Sequence, residues 1–468
     1  MGERGSENLK KGIILVFIAN LINLCISLVN GFILPKYLSV ETFADIKTYQ
    51  LYANYIGILH LGYADGVYLF YGGKNIRDIS GKDINITRTN LLLFQSLMTV
   101  IFCAVGVILQ DRILVVAALT IIPFNIASAF KNILQATGEF KTYSGIMNYT
   151  SVLTFIGTMI LLFVVRTDNS LYYFLVMGGV TFIVWGMLER KIISTYGFKI
   201  QLVASLHNLI ENIKSGIVLM LGNFSSILMT SIDRWFVKFL LTTTDFAFYS
   251  FVVSTENLIA VFINPIVTTM YNYICVTTDF KAIRRIKRMC LISSLFLIAS
   301  AFPAKFILEV YLTKYLQAQY VLFILFSTEV FFMVIKGIYV NIYKARKQQN
   351  IYFKQLLISI ALGCVLNTLF YLVFRSNEGI ALATLLSVIC WYAICCASVE
   401  EVRPDFKEIA ILFITIPSYI LFGFFMPATI GFLLYIVVVV VSCLVFMKND
   451  MISLVNVALG TVKKKLKR

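Results

Sequence analysis

The sequence has few charged residues for its length. Charged side chains make up 14% of the 468 residues, whereas a soluble chain carries about 25%. Hydrophobic residues make up 59%, and the mean hydropathy is +0.85. Apolar runs of about 20 residues, enough for a helix to cross a hydrocarbon core of ~30 Å, recur along the chain. Short alternating strands typical of a membrane barrel do not occur. The sequence therefore predicts an all-α polytopic membrane protein.

Several motifs of enzymes and pumps are also missing. No GxxxxGK[ST] sequence is present, which excludes ATP as the direct energy source. The two histidines and nine cysteines form no CxxC-type cluster that could hold zinc. No outer loop is long enough for a catalytic domain, and no loop carries a DxD-like carboxylate pair. We therefore expect no enzyme activity and no cofactor, although H⁺ or Na⁺ could serve as a coupling ion.

The apolar runs predict fourteen membrane spans. A cleavable signal is not evident, because Lys10 and Lys11 lead into the first run without a small-residue cleavage site. The predicted spans are 13–34, 44–71, 90–110, 112–134, 144–165, 171–188, 214–235, 246–273, 288–311, 318–340, 354–374, 379–399, 407–425 and 428–447.

Positive charge is distributed unevenly among the loops. The net charge of +16 would suggest nucleic acid in a soluble protein. Here only six of the 40 Lys and Arg residues lie in predicted outer loops, and four lie within spans. The positive-inside rule then places both termini in the cytoplasm. The basic segments 280–288 and 344–354 are expected to flank anionic headgroups, and no nucleic-acid partner is expected.

Span 1 carries a polar stripe that recurs 203 positions later. Asn20, Asn23, Ser27 and Asn30 fall on one face of an α-helix. In span 7 the corresponding residues are Asn223, Ser226, Thr230 and Asp233, with Arg234 next in register. The register continues, since Asn54 corresponds to Asn257. Six spans separate the copies, so the repeat is parallel.

This duplication predicts the architecture. We expect two parallel six-helix bundles around a central cavity, followed by two C-terminal helices. The lobes would span residues 1–200 and 201–402, and the helix pair and basic tail residues 403–468. An amide facing lipid leaves hydrogen bonds unmade. The stripes therefore face either a wet cavity, as in an alternating-access transporter, or neighbouring helices that they hold together.

Ionisable residues within spans are rare and usually face protein or water. Lys47 near the outer end of span 2 could snorkel, and Asp65 near the inner end could cap a bend or bind a coupling ion. On a continuous helix His60 lies ~140° from Asp65, so these two side chains are not expected to form one site. Gly62 and Gly66 have the spacing of close helix contacts or bends, and Pro265 would weaken span 8 at the matching depth.

The second half contains further charges at membrane depth. Glu329 and Lys336 lie two turns apart, about 10 Å by helix rise, so each needs a partner on another helix or an aqueous site. Glu256 is the other deep carboxylate. Lys305 and Glu309 have i, i+4 spacing and are expected to pair. Asp233 and Arg234 suggest a structural ion pair with another helix.

Four segments carry a resemblance to a known family. They are LPKYLSVETFADIKTY at 34–49, HLGYADGVYLFYGGK at 60–74, SIDRWFVKFLLTTTDFAFYS at 231–250 and LEVYLTKYLQAQYVLFIL at 308–325. Together with the fourteen-span plan they resemble the Wzx-like oligosaccharide flippases. These belong to the multidrug/oligosaccharidyl-lipid/polysaccharide flippase superfamily. Span 1 departs from the family pattern because it carries no basic residue.

The resemblance implies translocation of an undecaprenyl-pyrophosphate-linked oligosaccharide across the bacterial inner membrane, for O-antigen, capsule or exopolysaccharide synthesis. A polysaccharide polymerase and a chain-length regulator are possible partners. The candidate substrate-binding residues are Asn20, Asn23, Ser27, Asn30, Lys47, Asn54, Asn223, Ser226, Thr230, Arg234, Asn257 and Lys336. The ion-coupling candidates are Asp65, Glu256 and Glu329. The alternative is a cation-coupled multidrug exporter of the same superfamily, which would use these acidic residues for its substrate.

Overall fold

The chain folds entirely into helices where it is described. The computed structural model describes residues 21–454 and 456, apart from 198 and 278, and contains no β-strand within them. It groups into two compact units, Met1–Phe224 and Ser225–Arg468. This confirms the prediction of an all-α polytopic membrane protein.

The first unit contains eight helices and most of a ninth, joined by short turns. They are α1 (Leu21–Tyr37), α2 (Val40–Ile56), α3 (Tyr63–Tyr71), α4 (Gly81–Ile108), α5 (Arg112–Leu119), α6 (Ile121–Ala136), α7 (Phe140–Met159), α8 (Ser170–Tyr196) and α9 (Leu206–Met229). Short 3₁₀ helices follow α2 and α3 at Gly57–His60 and Ile76–Asp78, and a π-helix, Ile160–Val165, extends α7.

The second unit begins within α9 and holds ten further helices. They are α10 (Ile232–Leu240), α11 (Thr243–Val276), α12 (Phe280–Ile298), α13 (Ala301–Val310), α14 (Ala318–Val334), α15 (Val340–Ala345), α16 (Gln349–Phe374), α17 (Asn377–Ser398), α18 (Phe406–Phe425) and α19 (Ala428–Phe446). The connecting 3₁₀ helices are Thr313–Tyr315 and Glu400–Val402, and a π-helix, Ile335–Tyr339, joins α14 to α15.

Each of the fourteen predicted spans overlaps a helix or a pair of successive helices. Among the described residues, ten helices are long and apolar enough to cross a membrane, or eleven with the bent pair α5–α6. Two short breaks between predicted spans, after residue 110 and after residue 425, are present in the structure. α4 ends before a turn at Gln110, whose φ is +54°, and α18 and α19 are separated at Met426–Pro427.

The helix starts reproduce the duplication. Ser39 caps α2 by accepting the amide N–H of Thr42, and 203 positions later Thr242 caps α11 by accepting that of Asp245. Such side-chain oxygens satisfy amide donors that have no partner in the first turn of a helix. The two halves therefore begin their second spans in the same way.

Each unit has its own apolar core. In the first unit, buried side chains of α3, α4, α6 and α8 form one cluster that includes Tyr63, Phe130 and Leu188. In the second unit α14 is the central helix and is almost wholly buried. The packing division falls within α9, because the first part of α9 lies against α3. The lobe limits at 200 and 402 stay predictions.

The last two helices pack onto the second unit. Phe302 on α13 and Phe323 on α14 contact Tyr419 on α18, with ring centroids 5.7 and 5.0 Å apart. The hydroxyls of Tyr419 and Tyr435 donate to the carbonyls of Ile298 and Leu295. Burial of four aromatic rings with satisfied hydroxyls fixes α18 and α19 against α12–α14.

Candidate functional site

The amide stripe of α1 contains acceptors without partners. Asn23 and Asn30 are half-buried, and their side-chain oxygens accept no hydrogen bond from any described residue. Ser27, on the same stripe, is exposed. Asn20 lies outside the described residues. A buried amide oxygen without a donor costs about 1–3 kcal/mol, so this face has acceptor capacity available for a ligand or water.

The matching stripe is interrupted in the second copy. α9 ends at Met229 and α10 begins at Ile232, so Asn223 and Arg234 lie on different helices. Asn223, Ser226 and Thr230 are exposed, and the Thr230 hydroxyl bonds back to the Ser226 carbonyl at 3.3 Å. The prediction that one helical face carries the stripe through to Arg234 is therefore wrong, because the periodicity argument assumed an unbroken helix.

The Asp233 side chain has a partner on another helix, whereas the Nε atom of Arg234 has none among the described residues. The buried Asp233 carboxylate accepts a hydrogen bond of 2.6 Å from the Tyr249 hydroxyl on α11. The predicted ion pair with another helix is replaced by this phenol contact, which satisfies the carboxylate without a second buried charge. The Nε atom of Arg234 is buried and has no hydrogen-bond partner among the described residues.

The remaining candidates lie on α2 and α11. Lys47 donates to the Gln50 side chain at 3.1 Å, and its Nζ lies 5.2 Å from the centre of the Phe43 ring. This partly buried stem with a polar contact agrees with snorkelling. Asn54 and Asn257 are exposed on α2 and α11. α11 is a continuous helix through position 265, so the helix interruption predicted there is found only in the first copy.

Asp65 belongs to a small polar cluster in the first unit. The helix breaks between α2 and α3, where Leu61 and Gly62 have φ values of +50° and +88°. This break brings His60 Nε2 to 3.8 Å from Asp65 Oδ2. The expectation that the two side chains stay apart is wrong, since it applied 100° per residue across the break. Asn223 on α9 lies on the other side, 3.5 Å from Asp65 Oδ1.

A second cluster lies inside the second unit. The Glu256 carboxyl group on α11 and the Glu329 carboxyl group on α14 are close enough to act on each other electrostatically, and the charge of Lys336 acts on both. Thr328 donates to Glu256 at 3.1 Å, and Lys336 Nζ lies 4.3 Å from the centre of the Phe332 ring. Of the two alternatives predicted for Glu329, a partner on another helix or an aqueous site, the first is found. Two neighbouring carboxylates repel each other, which favours a proton on one of them.

Sequence reasoning missed a buried ion network at one end of the second unit. Lys287 on α12 lies 2.6 Å from Glu408 on α18, and both are fully buried. Arg288 contacts Glu408, Asp405 and Asp450 at 3.2, 2.5 and 3.4 Å. The expectation that these two cations flank headgroups is therefore wrong. Acidic residues at the start of α18 were the signal available in the sequence.

Sequence reasoning also missed a small polar cavity between α16 and α17. Its volume is about 10 Å³, and its polar lining is Ser359, Asn367, Thr384 and Ser387. The three hydroxyls donate to backbone carbonyls of their own helices, and Asn367 Oδ1 has no partner among the described residues. Acceptor lone pairs around a space for one small particle suit a water molecule or an unhydrated cation. Within the described chain, no three His, Cys, Asp or Glu side chains gather as a metal site.

Comparison with known proteins identifies the fold. No family model and no curated protein matches the sequence. Among solved structures, the chain is similar to the lipid II flippase MurJ in an inward closed conformation. The TM-score is 0.62 at 13% identity, over 94% of this chain and 100% of that one. It is also similar to the eukaryotic MATE transporter AtDTX14, with a TM-score of 0.52 at 13% identity, over 87% and 100% of the two chains. The protein has the fold that these two membrane proteins share.

Proposed function

We propose that the protein is a transporter of the multidrug/oligosaccharidyl-lipid/polysaccharide superfamily that flips a lipid-linked oligosaccharide. The substrate would be an undecaprenyl-pyrophosphate-linked repeat unit, moved across the bacterial inner membrane for surface polysaccharide synthesis. A polymerase and a chain-length regulator would act on the product. The fold shared with a lipid II flippase over nearly the whole chain supports this proposal.

One observation within the chain carries the proposal. The α1 stripe places amide oxygens in partly buried positions and leaves those of Asn23 and Asn30 without a donor from the described residues. Sugar hydroxyls are hydrogen-bond donors that match such acceptors, and a flippase must replace the water that sugars lose on entering the membrane. The apolar prenyl chain needs no such replacement and can stay in lipid.

Cationic side chains would hold the pyrophosphate. Lys336 is the cation nearest the Glu256–Glu329 pair, and Arg234 has a buried Nε atom without a partner among the described residues. Both suit phosphate oxygens, because charge-assisted hydrogen bonds are about twice as strong as neutral ones. A cation-coupled drug exporter is the second candidate function, and the Glu256–Glu329 carboxyl pair favours it.

The test is a reconstituted flipping assay. The purified chain is placed in liposomes containing fluorescent undecaprenyl-pyrophosphate oligosaccharide, and an impermeant glycosidase reports the fraction on the outer leaflet. We expect protein-dependent movement without ATP. Lys336→Ala should slow it about tenfold, since losing one charge-assisted hydrogen bond of about 1.5 kcal/mol costs that factor.

Lys354→Ala is the matched control, because Lys354 is exposed at the start of α16 and should leave the rate unchanged. A parallel assay follows ion-driven release of a cationic dye from the same liposomes. Dye release without oligosaccharide movement would replace the flippase by the exporter. If the oligosaccharide and the dye move equally fast in liposomes without protein, both the flippase and the exporter proposals fail.

A further inference from the structure

The break between α2 and α3 is built into the first unit. Amide side chains of neighbouring helices satisfy the carbonyl groups that the break releases. Asn125 on α6 donates to the Ile56 carbonyl at 3.2 Å, and Gln95 on α4 donates to that of Leu59 at 3.3 Å. Both amides are fully buried. Carbonyl groups freed inside a membrane need such partners, so these two amides stabilise the break.

The His60 side chain accepts a hydrogen bond from a backbone N–H group at the break. The Gly62 N–H donates to His60 Nδ1 at 3.0 Å. An imidazole nitrogen that accepts a hydrogen bond carries no proton, so His60 is neutral and its proton is on Nε2. His60 is 6% exposed. The left-handed turn at Leu61 and Gly62 is thus held by an acceptor that disappears when the ring takes up a proton.

The same turn determines how α3 meets α9. Gly62 and Gly66 lie directly against the backbone of α9. A Cβ on Gly62 would lie 2.6 Å from the Ile217 nitrogen, and one on Gly66 would overlap the Asn212 carbonyl oxygen. Asp65 lies between these glycines, 3.5 Å from Asn223 of α9 and 3.8 Å from His60. The carboxylate can therefore turn either to α9 or to the imidazole.

The charges around His60 leave Asp65 as its partner. The elements packed on this turn carry the following titratable side chains: Glu41, Asp45 and Lys47 on α2, Lys82, Asp83 and Arg88 on α4, Lys131 on α6, and His207, Glu211 and Lys214 on α9. Of the described charged side chains, Asp65 alone is within 4.0 Å of the His60 ring. Protonation therefore creates one new ion pair, with Asp65, while it removes the acceptor for Gly62.

We propose that His60 is a proton-binding switch that controls the attachment of α9 to α3. Proton uptake at Nδ1 releases the Gly62 N–H and draws Asp65 from Asn223 to the imidazolium. The Gly62–Leu61 turn relaxes, and α9 loses the Asn223–Asp65 contact with α3, while the hydrogen bond of 2.8 Å from Tyr63 to Asn208 holds the other end of this interface. The proton comes from solvent and stays on the ring until the pH rises. This inference rests on the proposed function, because a transporter needs a reversible change of helix packing.

The test measures the spacing of α3 and α9 in the full chain. Spin labels are attached to Leu69→Cys and Val218→Cys, both exposed positions, in a cysteine-free background in lipid nanodiscs. Pulsed EPR distances are recorded from about pH 8 to about pH 3.5, because burial of the His60 ring disfavours its protonated form. We expect a distance shift of about 1–2 Å, the size of helix movements in switching proteins.

His60→Asn should abolish the shift, because its side-chain oxygen can accept the Gly62 N–H but takes up no proton. His207→Asn is the matched control: His207 is the other histidine in the chain, is exposed and pairs with Glu211 at 3.2 Å. It should keep the shift in full. A shift that survives in His60→Asn, or no shift in the unchanged chain, overturns the proposal.

A second measurement does not depend on the fold of His60→Asn. Histidine-¹⁵N-labelled His207→Asn protein gives the signals of His60 alone. We expect Nδ1 unprotonated at about pH 8 and both nitrogens protonated at about pH 3.5, since burial disfavours the charged ring. A protonated Nδ1 at the higher pH overturns the proposal. Flipping is not read in either experiment, so an intact switch in a protein that flips nothing would overturn the proposed function alone.

Discussion

At the residue scale, the Glu256–Glu329 pair is the strongest candidate for ion coupling. The two carboxyl groups, with Lys336 as a nearby cation, lie inside the second unit. Because two neighbouring carboxylates repel each other, one of them can hold a proton and release it when a cation enters. The first unit has no comparable carboxyl pair among the salt bridges and hydrogen bonds of its described residues.

Glu329→Gln tests this role. The glutamine keeps the size of the side chain and donates its amide to Glu256, so the protein should fold as before. Without the second carboxyl group, transport should no longer respond to an imposed H⁺ or Na⁺ gradient. The measurement is the flipping rate in liposomes with and without each gradient. Glu309→Gln is the control, because Glu309 is partly exposed and pairs with Lys305 at 3.7 Å; an unchanged gradient response in Glu329→Gln would rule out coupling at this pair.

Individual contacts were predictable where they lie within one unbroken helix. The i, i+4 pair Lys305–Glu309 is confirmed at 3.7 Å. The separation of His60 from Asp65 was wrong, because the left-handed Leu61 and Gly62 redirect the chain between them. Periodicity gives the direction of a side chain only as far as the helix continues, and Gly62 and Gly66 indicated either a close helix contact or a bend without distinguishing the two.

At the element scale, both units contain the same joint, by which we mean the set of contacts at the start of the helix that closes each bundle. Ser205 caps α9 and, 200 positions later, Asp405 caps α18, each accepting the amide N–H three residues on. Arg88 on α4 donates to the Gln201 carbonyl, and Lys287 on α12 donates to that of Val402. α9 thus closes the first bundle as α18 closes the second. The repeat therefore extends beyond six spans to include the helix that follows them.

The joints at α9 and α18 differ in the side chains that form them, and this difference gives a prediction about stability. In the second unit, Lys287 is paired with Glu408, and both are fully buried. Lys287→Met should lower the free energy of unfolding by about 3–5 kcal/mol, because it leaves a buried carboxylate with fewer partners. Thermal unfolding in detergent measures the effect. The double variant Lys287→Met/Glu408→Met should recover most of the loss, since apolar replacements remove both buried charges.

Arg285→Met provides the comparison for this joint. Arg285 is largely exposed and lies 4.0 Å from Asp450, so its loss should cost below about 1 kcal/mol. Equal destabilisation by Arg285→Met and Lys287→Met would mean that the buried pair contributes nothing special.

The sequence offered the basic segment 280–288 but no sign of which cations turn inward, because that depends on α18, more than 100 residues away.

At the scale of the whole molecule, the sequence predicted the spans well and the joints poorly. All fourteen apolar runs overlap helices, because the length and apolarity of a span are local properties. The bends at Leu61–Gly62 and between α5 and α6 depend on contacts from other helices, such as the amides of Gln95 and Asn125. The cavity predicted between the two lobes stays a prediction.

The charge distribution also predicts the orientation of the whole chain in the membrane. Basic residues resist translocation, so loops rich in Lys and Arg stay in the cytoplasm. A flippase that exports a precursor must have a fixed orientation. Gln317 and Asn350 flank α14 and α15 on opposite sides and are exposed. In a cysteine-free background, Gln317→Cys should react with an impermeant thiol reagent on intact cells, and Asn350→Cys only after permeabilisation. The reverse result would invert the predicted topology and, with it, the direction of transport under the proposed function.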